Sequence, residues 1–387
     1  MTLRWVASDR ELLDLVDELA GLPRIALDTE FHRERTYFPR LALLQFAWEV
    51  DDAIRIALVD PLACDVKPLR RLFESPSLFV FHAAQQDLDV LAHAIGCGPR
   101  TIYDTQLAAG FVGYSTPSLA NLVNAELRQN LPKGDRLTDW LRRPLTEAQK
   151  SYAAADVEFL FQLTDLLDAK LSARGRSTWV EEACNELLGR KVGPSDPTLA
   201  WTKLKDLRSM RPRTRGVLAS VAEWRERRAM ASDIPPRQVL PDLALQGIAQ
   251  REPRSLADLA QARGVDDRHS RGTIGNEIIA AVARGLDQPL DLPASDGEDL
   301  ERRLRPAVTL VSAWLSEVAR REEIDPMLVG TRSDIVEFLR DDPEARLSAG
   351  WRFDLVGRDL RTLVAGRAGL AFDGMGGLLM VDVPNRS

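Results

Sequence analysis

The stretch RIALDTEF, residues 24–31, ends a run of apolar side chains with two carboxylates one residue apart. The run predicts a strand, and side chains alternate along a strand. Asp28 and Glu30 therefore point to one face, while Leu27 and Phe31 point to the other. Two like charges on a largely buried strand repel each other and resist the loss of water. The stretch raises the question of what keeps both carboxylates ionised.

Length and composition describe an ordinary soluble globular protein. The chain has 387 residues, 45% of them hydrophobic and 28% charged, and this length predicts two or three domains. It contains no apolar run of about 18 residues and no signal-peptide core at its N-terminus, so we expect a cytoplasmic protein without a membrane partner. Cys64, Cys97 and Cys184 are scattered, which argues against a disulfide frame or a zinc site.

The net charge of −7 argues against a protein that binds nucleic acid over its whole surface. Residues 201–233 differ from this average, with nine Lys and Arg against four acids, a local charge of 9 − 4 = +5. Three interpretations remain open for this basic stretch: a solvated helix face, a surface for RNA phosphates, or a dimer or intramolecular interface. Trp224 and Trp314 are expected to be core residues.

The order of predicted elements divides the chain into three parts. Residues 1–195 predict an α/β domain with a mixed sheet, because strands at 24–30, 41–48, 53–59, 78–81 and 101–103 alternate with helical patterns. The first three of these strands are expected to form an antiparallel meander. One long helix is expected from Thr146, which has capping-box spacing to Gln149, to Gly175. Residues 200–287 and 298–387 predict two all-α domains, separated by the linker DQPLDLPASDG at 287–297.

Three further polar residues follow the acid pair in a suggestive order. Asp87 falls in the first turn of a helix after a short strand, and Tyr152 and Asp156 lie four residues apart on one helix face. Each signal alone has an ordinary structural explanation, such as a helix N-terminal acid or a packing tyrosine. Their combination with Asp28 and Glu30 predicts a catalytic site.

These motifs resemble a known family. DTEF (28–31), HAAQQDL (82–88) and YAAAD (152–156) are similar to the three exonuclease motifs of the DEDD superfamily, in its tyrosine-bearing subgroup. The segments YDTQLAAGFVGY (103–114) and LTDWLRRPLTEAQKSYAAADVEFL (137–160) resemble the ribonuclease D family more closely. Residues 200–287 resemble an HRDC domain, and 298–387 a more divergent second copy.

The resemblance implies a fold, a reaction and a partner. It implies a ribonuclease-H-like fold and a 3′→5′ exoribonuclease that releases 5′-mononucleotides from RNA, with tRNA precursors as the expected substrate and a monomer as the expected state. The acids Asp28, Glu30, Asp87 and Asp156 would hold two divalent ions, Mg²⁺ or Mn²⁺, whose charge answers the opening question. Tyr152 would orient the attacking water, since a phenol with a pKa of about 10 is a poor base at neutral pH.

Four residues are expected to contact the substrate: Thr29, Phe31, His82 and Lys133. Each has a structural alternative, namely packing for Thr29 and Phe31, a structural histidine for His82, and a surface ion pair for Lys133. Two functional alternatives also remain open. One is a DNA 3′→5′ exonuclease, which uses the same four acids, and the other is an RNA-binding scaffold without activity.

Overall fold

The computed structural model describes residues 2–51, 53–132, 134, 138–194, 196–291 and 296–383. It forms two compact units, one of Met1–Glu30, Leu41–Lys191 and Gly297–Ser387, the other of Phe31–Arg40 and Val192–Asp296. The predicted boundaries follow consecutive segments, whereas the first unit combines the N-terminal α/β region with the C-terminal block. No helix among the described residues is long and apolar enough to cross a membrane.

A six-stranded mixed sheet is the framework of the first unit. Its strands stand in the order β1-β4-β3-β2-β5-β6. Their bounds are β1 Thr2–Val6, β2 Arg24–His32, β3 Arg40–Val50, β4 Ala53–Val59, β5 Leu78–Phe81 and β6 Ile102–Asp104. Strand β4 is parallel to β1 and antiparallel to β3, and β5 is parallel to both β2 and β6. The predicted mixed sheet is confirmed, and β2, β3 and β4 lie side by side in chain order as expected.

Two features of the sheet follow from burial. Strand β3 is buried at every residue from Leu41 to Trp48, as expected for a central strand covered on both faces. Strand β1 is absent from the predicted elements, because it is an edge strand in which only Val6 is fully buried. A half-exposed strand lacks the apolar run that identifies a central one.

Helices pack on this sheet. They are α1 Asp9–Leu19, α2 Arg70–Phe73, α3 Gln85–Ile95, α4 Thr105–Gly110, α5 Leu119–Leu127, α6 Glu147–Glu158, α7 Leu160–Ala173 and α8 Ser177–Leu188. The predicted single helix from Thr146 to Gly175 is wrong in one respect. It is two helices, because Phe159 has φ −103° and ψ 0° and interrupts the helical geometry. The capping box of Thr146 and Gln149 is present at the start of α6.

The second unit is helical. It contains α9 Pro212–Ser232, α10 Pro236–Val239, α11 Asp242–Arg251, α12 Leu256–Leu259 and α13 Gly272–Asp287, after 3₁₀ turns at Pro197–Lys203 and Leu207–Ser209. Helices α9 and α13 approach so closely at Gly216 and Gly285 that a Cβ on Gly285 would lie 2.5 Å from the Cα of Val217. Trp224 lies in this unit's core, which confirms its predicted role.

The segment Phe31–Arg40 belongs to this helical unit although it directly follows the acid-bearing strand. The Tyr37 hydroxyl donates to Glu226 at 2.6 Å, and the backbone N–H groups of Tyr37 and Phe38 donate to Asp233 Oδ1 at 3.1 and 3.0 Å. Residues 31–40 are thus fixed to α9 and its C-terminal cap.

The C-terminal block completes the first unit. It consists of α14 Asp296–Arg321, α15 Pro326–Val329, α16 Arg332–Leu339, α17 Gly350–Arg352 and α18 Arg358–Val364, with a 3₁₀ turn at Arg346–Ser348 and a π-helical turn at Phe353–Gly357. It ends in an antiparallel hairpin, β7 Ala368–Phe372 and β8 Leu378–Asp382. The block is helical as predicted up to α18, and the hairpin corrects the prediction at its end, where only Ala368 is fully buried in either strand.

Side chains fix this block to the α/β region. The Trp351 ring stacks on Trp179 of α8 at 4.9 Å and meets the edge of Phe111 at 5.1 Å. The Asp325 backbone N–H donates to the Gly110 carbonyl at 2.8 Å. Trp314 is 5% exposed, which agrees with its predicted place in a core. These buried contacts make the C-terminal block part of the same folded body.

Candidate active site

Strand β2 presents the first two acids. Ile25, Ala26 and Leu27 are fully buried and anchor the strand in the sheet. Asp28 and Glu30 alternate with Thr29, which is 6% exposed, so the two acids share a face as predicted.

Helix α3 brings the third acid to this strand. Asp87 lies in the first turn of α3 and is 6% exposed. The Thr29 hydroxyl donates to Asp87 Oδ1 at 2.5 Å across 58 residues of sequence. This bond ties the middle of β2 to the start of α3.

Helix α6 brings the fourth acid and the tyrosine. The Tyr152 phenol lies close enough to the Asp156 carboxylate to lower the pKa of that acid, as expected for residues one turn apart. Ala153, Ala154 and Ala155 are all buried, so α6 packs closely along this side. A Cβ on Gly134 would lie only 2.4 Å from Cε2 of Tyr152, so the backbone at Gly134 packs closely against the Tyr152 ring.

The four carboxylates interact electrostatically. Burial and the neighbouring charges of Asp87, Asp156 and Glu30 raise the pKa of Asp28 well above its usual value. Burial and the same kind of repulsion, from Asp156 and Asp87, raise the pKa of Glu30 to about 8. Burial is also the main cause that raises the pKa of Asp87 to about 7 and that of Asp156 to about 7. Three separate chain segments thus converge on one acidic site.

The arrangement is open. Within the described parts of the chain, no three His, Cys, Asp or Glu side chains are gathered closely enough to form a ready-made metal cage. The four carboxylates are close enough for repulsion to raise pKa values within the set. Burial together with the charges of Asp156, Glu30 and Asp28 raises the pKa of Tyr152, so the phenol stays protonated at neutral pH.

A cavity of about 760 Å³ opens beside Tyr152. Its lining includes Trp140, Arg142 and Gln149, and the Trp140 ring lies 6.0 Å from the Tyr152 ring. Arg143 also lines it but is held structurally, because its Nε and Nη2 atoms donate to the two Asp60 oxygens at 2.7 Å each.

The residues expected to contact substrate have different surroundings. The Thr29 side chain is engaged with Asp87, and the Phe31 ring lies under the Arg33 guanidinium at 5.9 Å. Both ring nitrogens of His82 have partners, because Nδ1 lies 2.9 Å from Thr105 Oγ1 and Nε2 lies 3.0 Å from the Pro117 carbonyl, and its contact with substrate stays a prediction. Lys133 lies outside the described residues.

The basic stretch 201–233 is largely engaged within its own unit. Arg215 and Arg225 are 7% and 5% exposed. Arg225 pairs with Asp242, while Arg213, Arg227 and Arg228 pair with Glu252, Glu223 and Glu277. Much of the predicted positive charge is therefore neutralised by acids beyond or within the stretch.

Asp104 is a buried polar residue to which the sequence patterns assign no role. It is 2% exposed, at the end of β6, and accepts hydrogen bonds from four backbone N–H groups. An Asp directly before a helical pattern is a helix-capping signal that was available in the sequence.

Comparison with known proteins identifies the family. The model of 3′-5′ exonucleases matches residues 3–172 and that of HRDC domains residues 214–282. Ribonuclease D of Jannaschia sp. (strain CCS1) is 35% identical over 380 residues, 95% of this chain and 97% of the relative, and that of Nitrobacter hamburgensis is 34% identical over 374 residues, 95% and 97%.

The solved structures agree. The crystal structure of Escherichia coli RNase D, described as an exoribonuclease involved in structured RNA processing, has a TM-score of 0.81 at 29% identity and covers 95% of this chain and 99% of that one. The catalytic core of RRP6 from Trypanosoma brucei shares the fold, with a TM-score of 0.58 at 23% identity over 74% of this chain and 80% of that one. Matched by such relatives over nearly its whole length, the chain belongs to the ribonuclease D family of 3′→5′ exoribonucleases.

Proposed function

We propose that this enzyme removes nucleotides one at a time from RNA 3′ ends with the help of two divalent ions, Mg²⁺ or Mn²⁺, and releases 5′-mononucleotides. The observation that carries the proposal is the convergence of Asp28, Glu30, Asp87 and Asp156, whose buried carboxylates raise one another's pKa. Such a set is destabilised by its own charge and would gain from cations.

The donor set suits hard divalent ions. Carboxylate oxygens are the ligands that Mg²⁺ and Mn²⁺ prefer, and the site contains no sulfur or imidazole ligand among these four residues. When bound, two such ions supply positive charge to the scissile phosphate and activate water for in-line displacement at phosphorus. The four acids would hold them, and Asp28 is the most central because each of the other three acids raises its pKa.

Tyr152 would position the attacking water. Its phenol is protonated at neutral pH and lies beside Asp156, so it can orient a water molecule but not remove its proton. The adjacent cavity, with Trp140 and Arg142, offers an aromatic face and a cation to the terminal nucleotide. Phe31, His82, Lys133 and the Thr29 backbone remain proposed substrate contacts.

The physiological role and organisation are part of the same proposal. We place the enzyme in the cytoplasm as a monomer that trims tRNA precursors. Residues 1–195 form the exonuclease domain, 200–287 the HRDC domain, and 298–387 a divergent HRDC-like domain. The HRDC domain would retain structured RNA while the nuclease site shortens its 3′ end.

The test is the loss of one hydroxyl group. Tyr152→Phe should lower kcat for a 5′-labelled RNA by about 100-fold or more while Mn²⁺ affinity stays nearly the same, since general positioning effects reach this size. Tyr103→Phe is the matched control, because Tyr103 is likewise a tyrosine beside an acid and its hydroxyl donates to Asp168 at 2.7 Å. This control should retain activity.

Three outcomes would contradict the proposal. Equal losses of kcat in Tyr152→Phe and Tyr103→Phe would show that Tyr152 has no specific role in catalysis. Faster degradation of a matched DNA oligonucleotide would favour the DNA exonuclease. RNA binding by the wild-type protein without metal-dependent cleavage would favour the scaffold.

A further inference from the structure

The turn that leads into the Asp87 helix is conformationally strained. Ala83, between β5 and α3, has φ 65°, in the left-handed region that disfavours residues with a Cβ. Helix α3 begins without a capping side chain, since its N-cap residue is Ala84. Asp87 is the third residue of this helix, so the conformation of the turn sets where its carboxylate lies.

One buried carboxylate holds this turn. Asp104 Oδ1 accepts from the Ala83 N–H at 3.0 Å, and Asp104 Oδ2 accepts from the Ala84 N–H at 2.9 Å. Oδ1 also caps α4, accepting from the N–H groups of Gln106 at 2.8 Å and Leu107 at 3.3 Å. Asp104 therefore joins the beginnings of two helices that are separate in sequence.

The neighbouring residues fix the same turn. The Thr105 hydroxyl donates to the Phe81 carbonyl at 2.9 Å, and the His82 ring lies between Thr105 and the Pro117 carbonyl. The turn is thus bound on both sides of Ala83 by the segment that begins at β6.

We propose that Asp104 is a positioning residue for the nuclease reaction, which stabilises the strained turn at Ala83 and thereby directs Asp87 toward Thr29 and Asp28. The inference rests on the proposed function, because Asp87 is taken there as one of the acids that hold the ions. Asp104 acts on this turn through the backbone N–H groups of residues 83 and 84. Its negative charge also repels the Asp87 carboxylate.

The variant Asp104→Asn tests this role selectively. Asparagine keeps one acceptor oxygen and replaces the other with an NH₂ group. With its oxygen in the place of Oδ1, the variant retains the bonds from Ala83, Gln106 and Leu107, while its NH₂ group faces the Ala84 N–H and loses that one bond to the turn. Positioning groups behind a metal site are typically worth about 10- to 100-fold in metal affinity or activity, and we expect Mn²⁺ affinity by isothermal titration calorimetry to fall by this factor.

Two further measurements separate positioning from general stability. Amide hydrogen exchange of residues 82–88 should accelerate in Asp104→Asn while that of α13 stays unchanged. The KM for RNA should change by less than about twofold while kcat falls, because the interaction lost is not one with the bound substrate.

Ala83→Gly provides a rescue. Glycine adopts positive φ at little cost, so it removes the strain that Asp104 counteracts. The double variant Ala83→Gly/Asp104→Asn should recover at least about threefold of the lost Mn²⁺ affinity, a coupling that neighbouring sites show in double-mutant cycles.

Asp334→Asn is the matched control. Asp334 is 4% exposed and caps α16 in the same unit, accepting from the Thr331 N–H at 2.6 Å. The substitution Asp334→Asn should lower the unfolding temperature without changing Mn²⁺ affinity or amide hydrogen exchange at residues 82–88.

The outcomes distinguish this inference from the proposed function. If wild-type protein binds Mn²⁺ but does not cleave RNA, the proposed function fails, and the exchange and calorimetry data still decide the role of Asp104. If Asp104→Asn resembles Asp334→Asn in Mn²⁺ affinity and exchange, or if Ala83→Gly gives no recovery, the inference is overturned.

Discussion

At the scale of single residues, the site consists of four acids, two of which contact the hydroxyl group of a neighbouring side chain. Thr29 donates to Asp87, and the Tyr152 phenol lies close enough to Asp156 to lower the pKa of that acid. Burial and repulsion from Asp156 and Asp87 raise the pKa of Glu30. Such a set favours protonation or cations. Both the pH dependence of stability and the role of Thr29 can be tested at this scale.

The metal-free protein should lose stability as the pH rises. The pKa of Glu30 is raised to about 8 and those of Asp87 and Asp156 to about 7, above the value of about 4 for unfolded chains. The folded state then binds more protons than the unfolded state, so the contribution present below pH 4 is lost as the pH rises through 7 to 8. In EDTA, the Tm should be lower at pH 8.5 than at pH 5.5.

Added Mg²⁺ should reduce this difference, and Asp87→Asn should make the pH dependence of the metal-free protein shallower. A Tm in EDTA that is constant or rises over this range would show that the acids are not repelling one another in the folded state.

Removing the Thr29 hydroxyl should weaken catalysis more than stability. Thr29→Val keeps the shape of the side chain but leaves Asp87 without this donor. A reduction in kcat of about 10-fold is expected from the loss of such a supporting bond. Thr164→Val is the control, because Thr164 is 3% exposed and donates only to the Leu160 carbonyl of its own helix. Steady-state kinetics on a short RNA would decide, and equal losses in both variants would assign Thr29 a purely structural role.

At the scale of elements, glycines determine how closely the helices of the second unit pack. A Cβ on Gly285 would lie 2.5 Å from both the Gly216 carbonyl oxygen and the Val217 Cα, so α9 and α13 would have to separate. This contact involves backbone atoms, which cannot move aside as a flexible side chain can.

Gly285→Ala should therefore destabilise the helical unit by about 1–3 kcal/mol, the usual cost of overpacking. Arg284→Ala, at the exposed neighbouring position of α13, should change stability by less than about 0.5 kcal/mol. Urea unfolding followed by Trp fluorescence would measure both. A stability of Gly285→Ala equal to that of Arg284→Ala would mean that the two helices do not meet as described.

At the scale of the whole molecule, the C-terminal block is a structural component of the nuclease unit. Trp351 is 3% exposed, and its ring stacks on Trp179 and meets Phe111 in an edge contact. Glu186 of α8 pairs with both Arg346, at 2.6 Å, and Arg352. The block thus shares buried aromatic and ionic contacts with the α/β region.

Trp351→Ala should lower the thermal stability of nuclease activity. Truncating a buried Trp lowers the free energy of unfolding by about 3–5 kcal/mol, and here the unit that is destabilised is the one that contains the acids. Trp224→Ala, in the core of the helical unit, is the control. The temperature at which cleavage of a short RNA is half lost should fall for Trp351→Ala and stay nearly constant for Trp224→Ala. The opposite order would show that the nuclease fold does not depend on the C-terminal block.

Much of the fold and the site is predictable from sequence. The strands β2 to β6, the acid pair, the capping box before Tyr152 and the buried Trp224 all follow from local patterns of apolar residues and caps. The edge strand β1 and the hairpin β7–β8 do not, because half-exposed strands lack a distinctive apolar pattern. The hydrogen-bond partners of the His82 ring also required the structure, since they lie 23 and 35 residues away in the sequence.

The sequence by itself determined the local elements, the order of the acidic motifs and the family, because helices, strands and motifs depend on residues close together in the chain. Only the tertiary structure decided which charges meet. It brings Asp87 and Asp156 to Asp28, binds the turn at Ala83 to Asp104, pairs four arginines of 201–233 with acids and joins the C-terminal block to the nuclease fold. Ion pairs, buried hydrogen bonds and repulsion among carboxylates depend on distance in space, which sequence spacing does not specify.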